Sequence, residues 1–260
     1  MRNTLLGIAI ILFASCSSSL EKDIQPQLYP STGGTTAVAD STITFSGYTW
    51  TIKNSGTNTL GPGPNLWDKK NVWVDEKGIL HLKLSKDPVT KHWVCAELQS
   101  TKTFGYGTYE WKIDGPIDLL NKNVVLGLFN YSGTDGLDEM DIEFARWGVD
   151  SNPNLNYTIY PAEKGYPLYQ NNRAFTITDG TYSTHRFTRT STSVVYKSLY
   201  GFQDADVNLF ATAECTAPSY KLSILKMPVY MNLWLFKGNA PTDDKEVEIL
   251  IHSFKFSAIL

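Results

Sequence analysis

Between residues 43 and 256, apolar positions recur at every second residue in short runs separated by turn residues. This is the periodicity of half-buried strands. Asn71-Val-Trp73-Val-Asp75 and Ile79-Leu-His-Leu-Lys-Leu84 flank a Glu-Lys-Gly turn, which predicts a hairpin. A strand is expected over 43–53, with Phe45, Tyr48, Trp50 and Ile52 packing inward. Others are expected over 93–100, 105–113, 124–131, 139–147, 155–160, 174–177, 182–189, 193–199, 229–236 and 247–256. Few segments show a helical period, and neither an internal repeat nor a second domain is visible. The pattern predicts an all-β fold, a sandwich or jelly roll of two antiparallel sheets. A length of 260 residues suits one large domain of that kind.

One strand breaks the rule of apolar inward, neutral polar outward. Asp138-Glu139-Met140-Asp141-Ile142-Glu143-Phe144 puts Glu139, Asp141 and Glu143 on one face and Met140, Ile142 and Phe144 on the other. Carboxylates are depleted in strands, and three in a row on one face repel each other. Residues i and i+4 lie roughly 13 Å apart along a strand, and two Glu side chains leaning together would bring their carboxyls to roughly 5–6 Å. That is near the separation used by retaining glycosidases. A charged edge strand and a cation-binding patch remain the alternatives on pattern alone.

The acidic strand does not stand by itself. Phe104-Gly-Tyr-Gly-Thr-Tyr-Glu110-Trp111, then Leu128-Phe129-Asn130-Tyr131-Ser-Gly-Thr-Asp-Gly136, then Glu139-Met-Asp141-Ile-Glu143 together resemble glycoside hydrolase family 16 over roughly residues 61–256. The unbulged Glu-x-Asp-x-Glu looks like the lichenase and xyloglucan branch. The resemblance implies a concanavalin-like jelly roll with a concave cleft, and a retaining endo-β-glycosidase acting on a β-linked glucan or related galactan. It implies Glu139 as nucleophile, Glu143 as general acid/base and Asp141 as the carboxylate modulating them. The two glutamate pKa values would then be pushed apart, Glu139 ionised and Glu143 protonated near neutral pH. It further implies a substrate surface of Glu97, Phe129, Tyr131, Asn232 and Trp234. Trp147 serves there as stacking platform or loop anchor, and Tyr160 joins from the next strand. Gln99 stands where the lichenase pattern has Arg, which removes a positive donor. The 184–191 segment keeps His185 and Phe187 but has Ser191 where a Trp is usual, and residues 203–220 look like an insertion.

Composition narrows the alternatives. Aromatic residues make up 13%, charged residues 19%, and the net charge is −3, so nothing favours nucleic acid as a partner. Recognition of a polysaccharide through stacking fits better. The four His are scattered, so a catalytic transition metal is not expected. No cofactor is required, and a structural Ca²⁺ is the one ion left open. A monomer is expected. Cys95 and Cys215 are read as either a disulfide or two buried thiols.

Residues 1–15 read as a lipoprotein signal peptide, with Arg2 before an apolar run and Phe13-Ala14-Ser15-Cys16 resembling a lipidation box. Residues 16–41 then form a tether from lipidated Cys16, and 42–260 the jelly-roll domain. The protein would be exported and anchored to a bacterial membrane, at the outer membrane or cell surface. A non-catalytic carbohydrate-binding lipoprotein is the competing reading.

Overall fold

The computed structural model describes residues 41–259. Two curved, mainly antiparallel layers face each other. The concave layer runs in the order β11 (Tyr169–Arg173), β10 (Leu155–Tyr160), β9 (Glu139–Phe144), β8 (Val124–Tyr131), β15 (Met227–Leu235), β6 (Trp93–Phe104), β2 (Tyr48–Ile52) and β1 (Ser41–Phe45). The convex layer runs β4 (Val72–Val74), β5 (Leu80–Lys86), β16 (Val247–Ala258), β7 (Gly107–Asp114), β12 (Tyr182–Arg189), β13 (Ser193–Tyr200) and β14 (Leu209–Thr216). Strand β5 also pairs with β6 at Ser85–Val94 and Lys86–Trp93, joining the layers at one edge, and the two-residue β3 (Leu66–Trp67) lies parallel to β6. This is the jelly-roll architecture that the alternation predicts.

The core lies between the layers and is rich in aromatics. Tyr157 of β10 stacks on Tyr196 of β13, and its hydroxyl hydrogen-bonds Ser198. Phe144 of β9 packs edge-on over His185 of β12, and Trp50 of β2 meets Phe254 of β16. His185 is fully buried between Ser183 and Ser198, both within hydrogen-bond distance, and burial pulls its pKa down to about 3. It is a neutral core residue beneath the acidic strand. Fully buried Arg189 donates to the carbonyls of Ser223 and Leu225 and to Asn130 Oδ1, which ties the chain before β15 to the core.

Three expected elements differ. The 43–53 strand is a hairpin, with Ser46 and Gly47 both at positive φ and Phe45 paired with Tyr48. A two-residue turn of that hand matches strand twist, and it brings Phe45 and Tyr48 onto one face, where a continuous strand would part them. No strand lies at 174–177. The edge strand β11 sits just upstream, and Phe175 instead pairs with the Asn154 side chain, its N–H donating to Oδ1 and its carbonyl accepting from Nδ2. The 203–220 stretch contains β14, which extends the convex layer by pairing with β13. Cys95 and Cys215 are free and buried, one in each layer. The readings on residues 1–40, lipidated Cys16 included, lie outside the described residues.

Candidate active site

Strand β9 carries the site because its two faces do different work. Met140, Ile142 and Phe144 are buried in the core, which fixes the register and turns Glu139, Asp141 and Glu143 into the concavity. Pairing then assembles three rows across the sheet. Glu139 lies between Tyr131 of β8 and Tyr160 of β10. Asp141 lies between Phe129 and Thr158, and the row continues through Tyr230 of β15 to Gln99 of β6. Glu143 lies beside Gly127, followed by Asn232 and Glu97.

A cleft of about 300 Å³ opens over these rows. All ten residues assigned to catalysis or substrate in the sequence line it: Glu97, Phe129, Tyr131, Glu139, Asp141, Glu143, Trp147, Tyr160, Asn232 and Trp234. Phe129 stacks on Tyr230 with centroids 5.0 Å apart, and the Tyr131 hydroxyl donates to Asp135 at 2.7 Å. Trp147 holds positive φ in the turn after β9 and packs against Trp234 and edge-on against Phe236, so it is at once cleft wall and loop anchor. Sequence reasoning missed Lys53, Asp135, Tyr230 and Phe236. Tyr230 shares the i, i+2, i+4 face of Asn232 and Trp234, and Lys53 continues the polar face of Thr49 and Thr51. Asp135 lies in a loop with no periodicity to reveal it.

The electrostatics are those of acids withdrawn from water. Burial raises the pKa of all three carboxyls, Glu139 and Glu143 each up to about 8 and Asp141 well above its ordinary value. The expected separation of the two glutamates is therefore not present. What distinguishes them is the hydrogen bond between Asp141 and Glu139, which favours ionised Glu139 and keeps the proton on Asp141. Glu143 is raised by burial, which favours its neutral form, and its charge in turn raises both Glu139 and Asp141. Nearby charge from the triad also raises the Tyr160 hydroxyl, after burial itself. Among the described residues, no group of three or more His, Cys, Asp or Glu is arranged to hold a metal ion.

Residues 64–234, which contain the acidic strand and both flanking strands, match the model of glycosyl hydrolases family 16. The chain belongs to that family. A beta-glucanase of Bacillus subtilis (strain 168) is 37% identical over 81 residues, 30% of this family 16 chain and 32% of its own length. A beta-glucanase of Paenibacillus macerans is 34% identical over 103 residues, 38% of this chain and 41% of its own. The chain thus spans less than half the length of the curated relatives it matches. Two solved structures share the fold over most of their length. The Bacillus licheniformis beta-glucanase superposes with a TM-score of 0.58 at 24% identity, covering 81% of this chain and 92% of its own. A Mycobacterium tuberculosis protein described as an immunostimulatory antigen and pseudo beta-1,3-glucanase does so with a TM-score of 0.62 at 17% identity, covering 81% and 91%.

Proposed function

We propose that the protein is a retaining endo-β-glycosidase that hydrolyses a β-linked glucan of the β-1,3/1,4 class. The observation that carries this reading is Glu139, Asp141 and Glu143 in register on one cleft face, with Asp141 hydrogen-bonded to Glu139 and Glu143 raised by burial. Ionised Glu139 attacks the anomeric carbon while neutral Glu143 protonates the departing glycosidic oxygen, giving a glycosyl-enzyme ester on Glu139. Glu143, now a carboxylate, takes a proton from water as that water displaces Glu139 and the β-configuration is restored. Asp141 donates to Glu139 before attack. As negative charge leaves Glu139 on forming the ester, the cost of burying three carboxyls falls. The aromatic walls, Phe129 with Tyr230 on one side and Trp147 with Trp234 on the other, suit the apolar faces of pyranose rings. The same reading places the enzyme on a bacterial surface, held by a lipidated Cys16, where cutting polymers releases oligosaccharides.

The test is reducing-end release from β-glucans, xyloglucan and agarose by wild type and Glu139→Gln side by side. Turnover by wild type should fall at least a thousandfold in the variant, with binding retained. Equal inactivity of both proteins on every polymer, together with binding, would instead favour a carbohydrate-binding protein.

A further inference from the structure

The far end of the cleft from Tyr160 is built around an ion pair that the triad does not use. Lys53 follows β2, and its backbone N–H donates to the Glu97 carbonyl at 2.9 Å. Its ammonium lies 2.9 Å from Glu97 Oε1, donates to the Gly61 carbonyl, and sits 4.1 Å above the Trp67 ring. The second Glu97 oxygen accepts from Asn232 Nδ2 at 3.1 Å. Asn232 is 2% exposed, and its Oδ1 is buried with no hydrogen-bond partner. A buried acceptor of that kind is costly unless a ligand donor reaches it. Gly127 alone keeps the space in front of it, because a Cβ there would stand 2.5 Å from Oδ1.

Charge decides what that donor belongs to. Glu97, Asp135, Glu139, Asp141 and Glu143 line the cleft against a single lining cation, Lys53, whose ammonium is already committed to Glu97 and Gly61. A sulfate or uronate would find no available cation here, whereas a sugar hydroxyl can donate to Asn232 Oδ1. Gln99, opposite Tyr230 and Thr51, contributes no charge. The Lys53 backbone stands four strand spacings from Glu143, about 19 Å, but Asn232, which it holds through Glu97, stands only two, about 10 Å. We propose that the Lys53–Glu97 pair determines specificity at this end of the cleft: Lys53 fixes Glu97 and, through it, Asn232 for neutral polysaccharide, while Glu97 holds the Lys53 charge and so excludes sulfated polysaccharide. The inference rests on the glycosidase reading only in taking the cleft as a glycan site.

Two arms test it on the full chain. Calorimetric binding is measured in a Glu139→Gln background, with mixed-linkage β-glucan oligosaccharides as the neutral probe and carrageenan oligosaccharides as the sulfated one. Adding Lys53→Met should weaken neutral binding roughly tenfold, and Lys53→Arg should restore it to within about threefold, at unchanged melting temperatures. Glu97→Gln, which releases the Lys53 charge, should weaken neutral binding and create salt-sensitive carrageenan binding that the parent lacks. In the active enzyme, Lys53→Met should raise KM roughly tenfold and leave kcat within about threefold. Unchanged neutral affinity in Lys53→Met, a parent that binds carrageenan as tightly as glucan, or a parent that binds no neutral glycan would each overturn the proposal. The intended binding pattern without any hydrolysis would sink the enzyme reading alone. Hydrolysis indifferent to Lys53 would sink this one alone.

Discussion

Glu139 and Glu143 occupy the same face of one strand, yet only Glu139 shares a hydrogen bond with Asp141. A hydrogen bond to the charged form stabilises that form, and desolvation alone stabilises the neutral one. The two glutamates thus differ in surroundings that a bare Glu-x-Asp-x-Glu string does not show. If Glu143 is the acid, kcat/KM should decline on the alkaline side at about pH 8, where burial has placed its pKa. Glu143→Gln should remove that limb and slow β-glucan hydrolysis by roughly 10²–10⁴-fold, the usual worth of a general acid. A phenolic glycoside whose leaving group needs no proton should lose far less in its first step. A variant that slows both substrates equally would remove Glu143 from that role. At this scale the sequence was readable wherever function broke periodicity, as with three acids on one strand face. Lys53 was not, because a lysine on a polar strand face looks like any solvated one until Glu97 is seen 2.9 Å away.

Strands supply the precision that single residues cannot. Gly127 of β8 sits opposite Glu143 on one side and Asn232 on the other, so the floor between acid and Asn depends on one missing side chain. In Gly127→Ala the new methyl meets a side-chain oxygen rather than backbone, so Asn232 must turn while the strand survives. The expected result is a loss of the Asn232–Glu97 hydrogen bond, a fall in kcat/KM of roughly tenfold or more, and a melting temperature shifted only slightly. Unimpaired kinetics would show that Asn232 has no fixed task. Elements were legible where alternation was uninterrupted, as in β5, β7 and β9. They were misread where local chemistry interrupts it. Ser46-Gly47 hid a hairpin inside an apparently continuous run, and the polar Tyr169–Arg173 edge strand had no apolar alternation to reveal it.

The two layers bury opposing titrations, and their sum shapes stability. Between about pH 4.5 and 8 the folded triad keeps protons that the unfolded chain gives up, so stability falls as pH rises through that window. His185 works in the other direction. Burial holds its folded pKa at about 3, so below its ordinary 6.5 the unfolded chain takes up a proton that the folded one refuses, and stability falls as pH drops. Asp206 and Glu246, held below the usual carboxylate range by hydrogen bonds from Lys197 and Lys83, add to the loss at low pH. Resistance to urea should therefore peak well on the acid side of neutrality, roughly at pH 4, where these opposed slopes balance. A Glu139→Gln, Glu143→Gln double variant should be more stable than wild type at pH 8, by about 1–2 kcal/mol allowing for partial solvent screening of both side chains. At pH 4, where both glutamates are protonated in either state, the gain should vanish. Urea midpoints collected from pH 3 to 9 check this directly. Parallel curves for the two proteins would mean that the acids cost the fold nothing. A gain confined to the alkaline side would show that the fold gives up stability to hold the triad, with the apolar face of β9 and the aromatic stacks between the layers as the reserve that makes this sustainable.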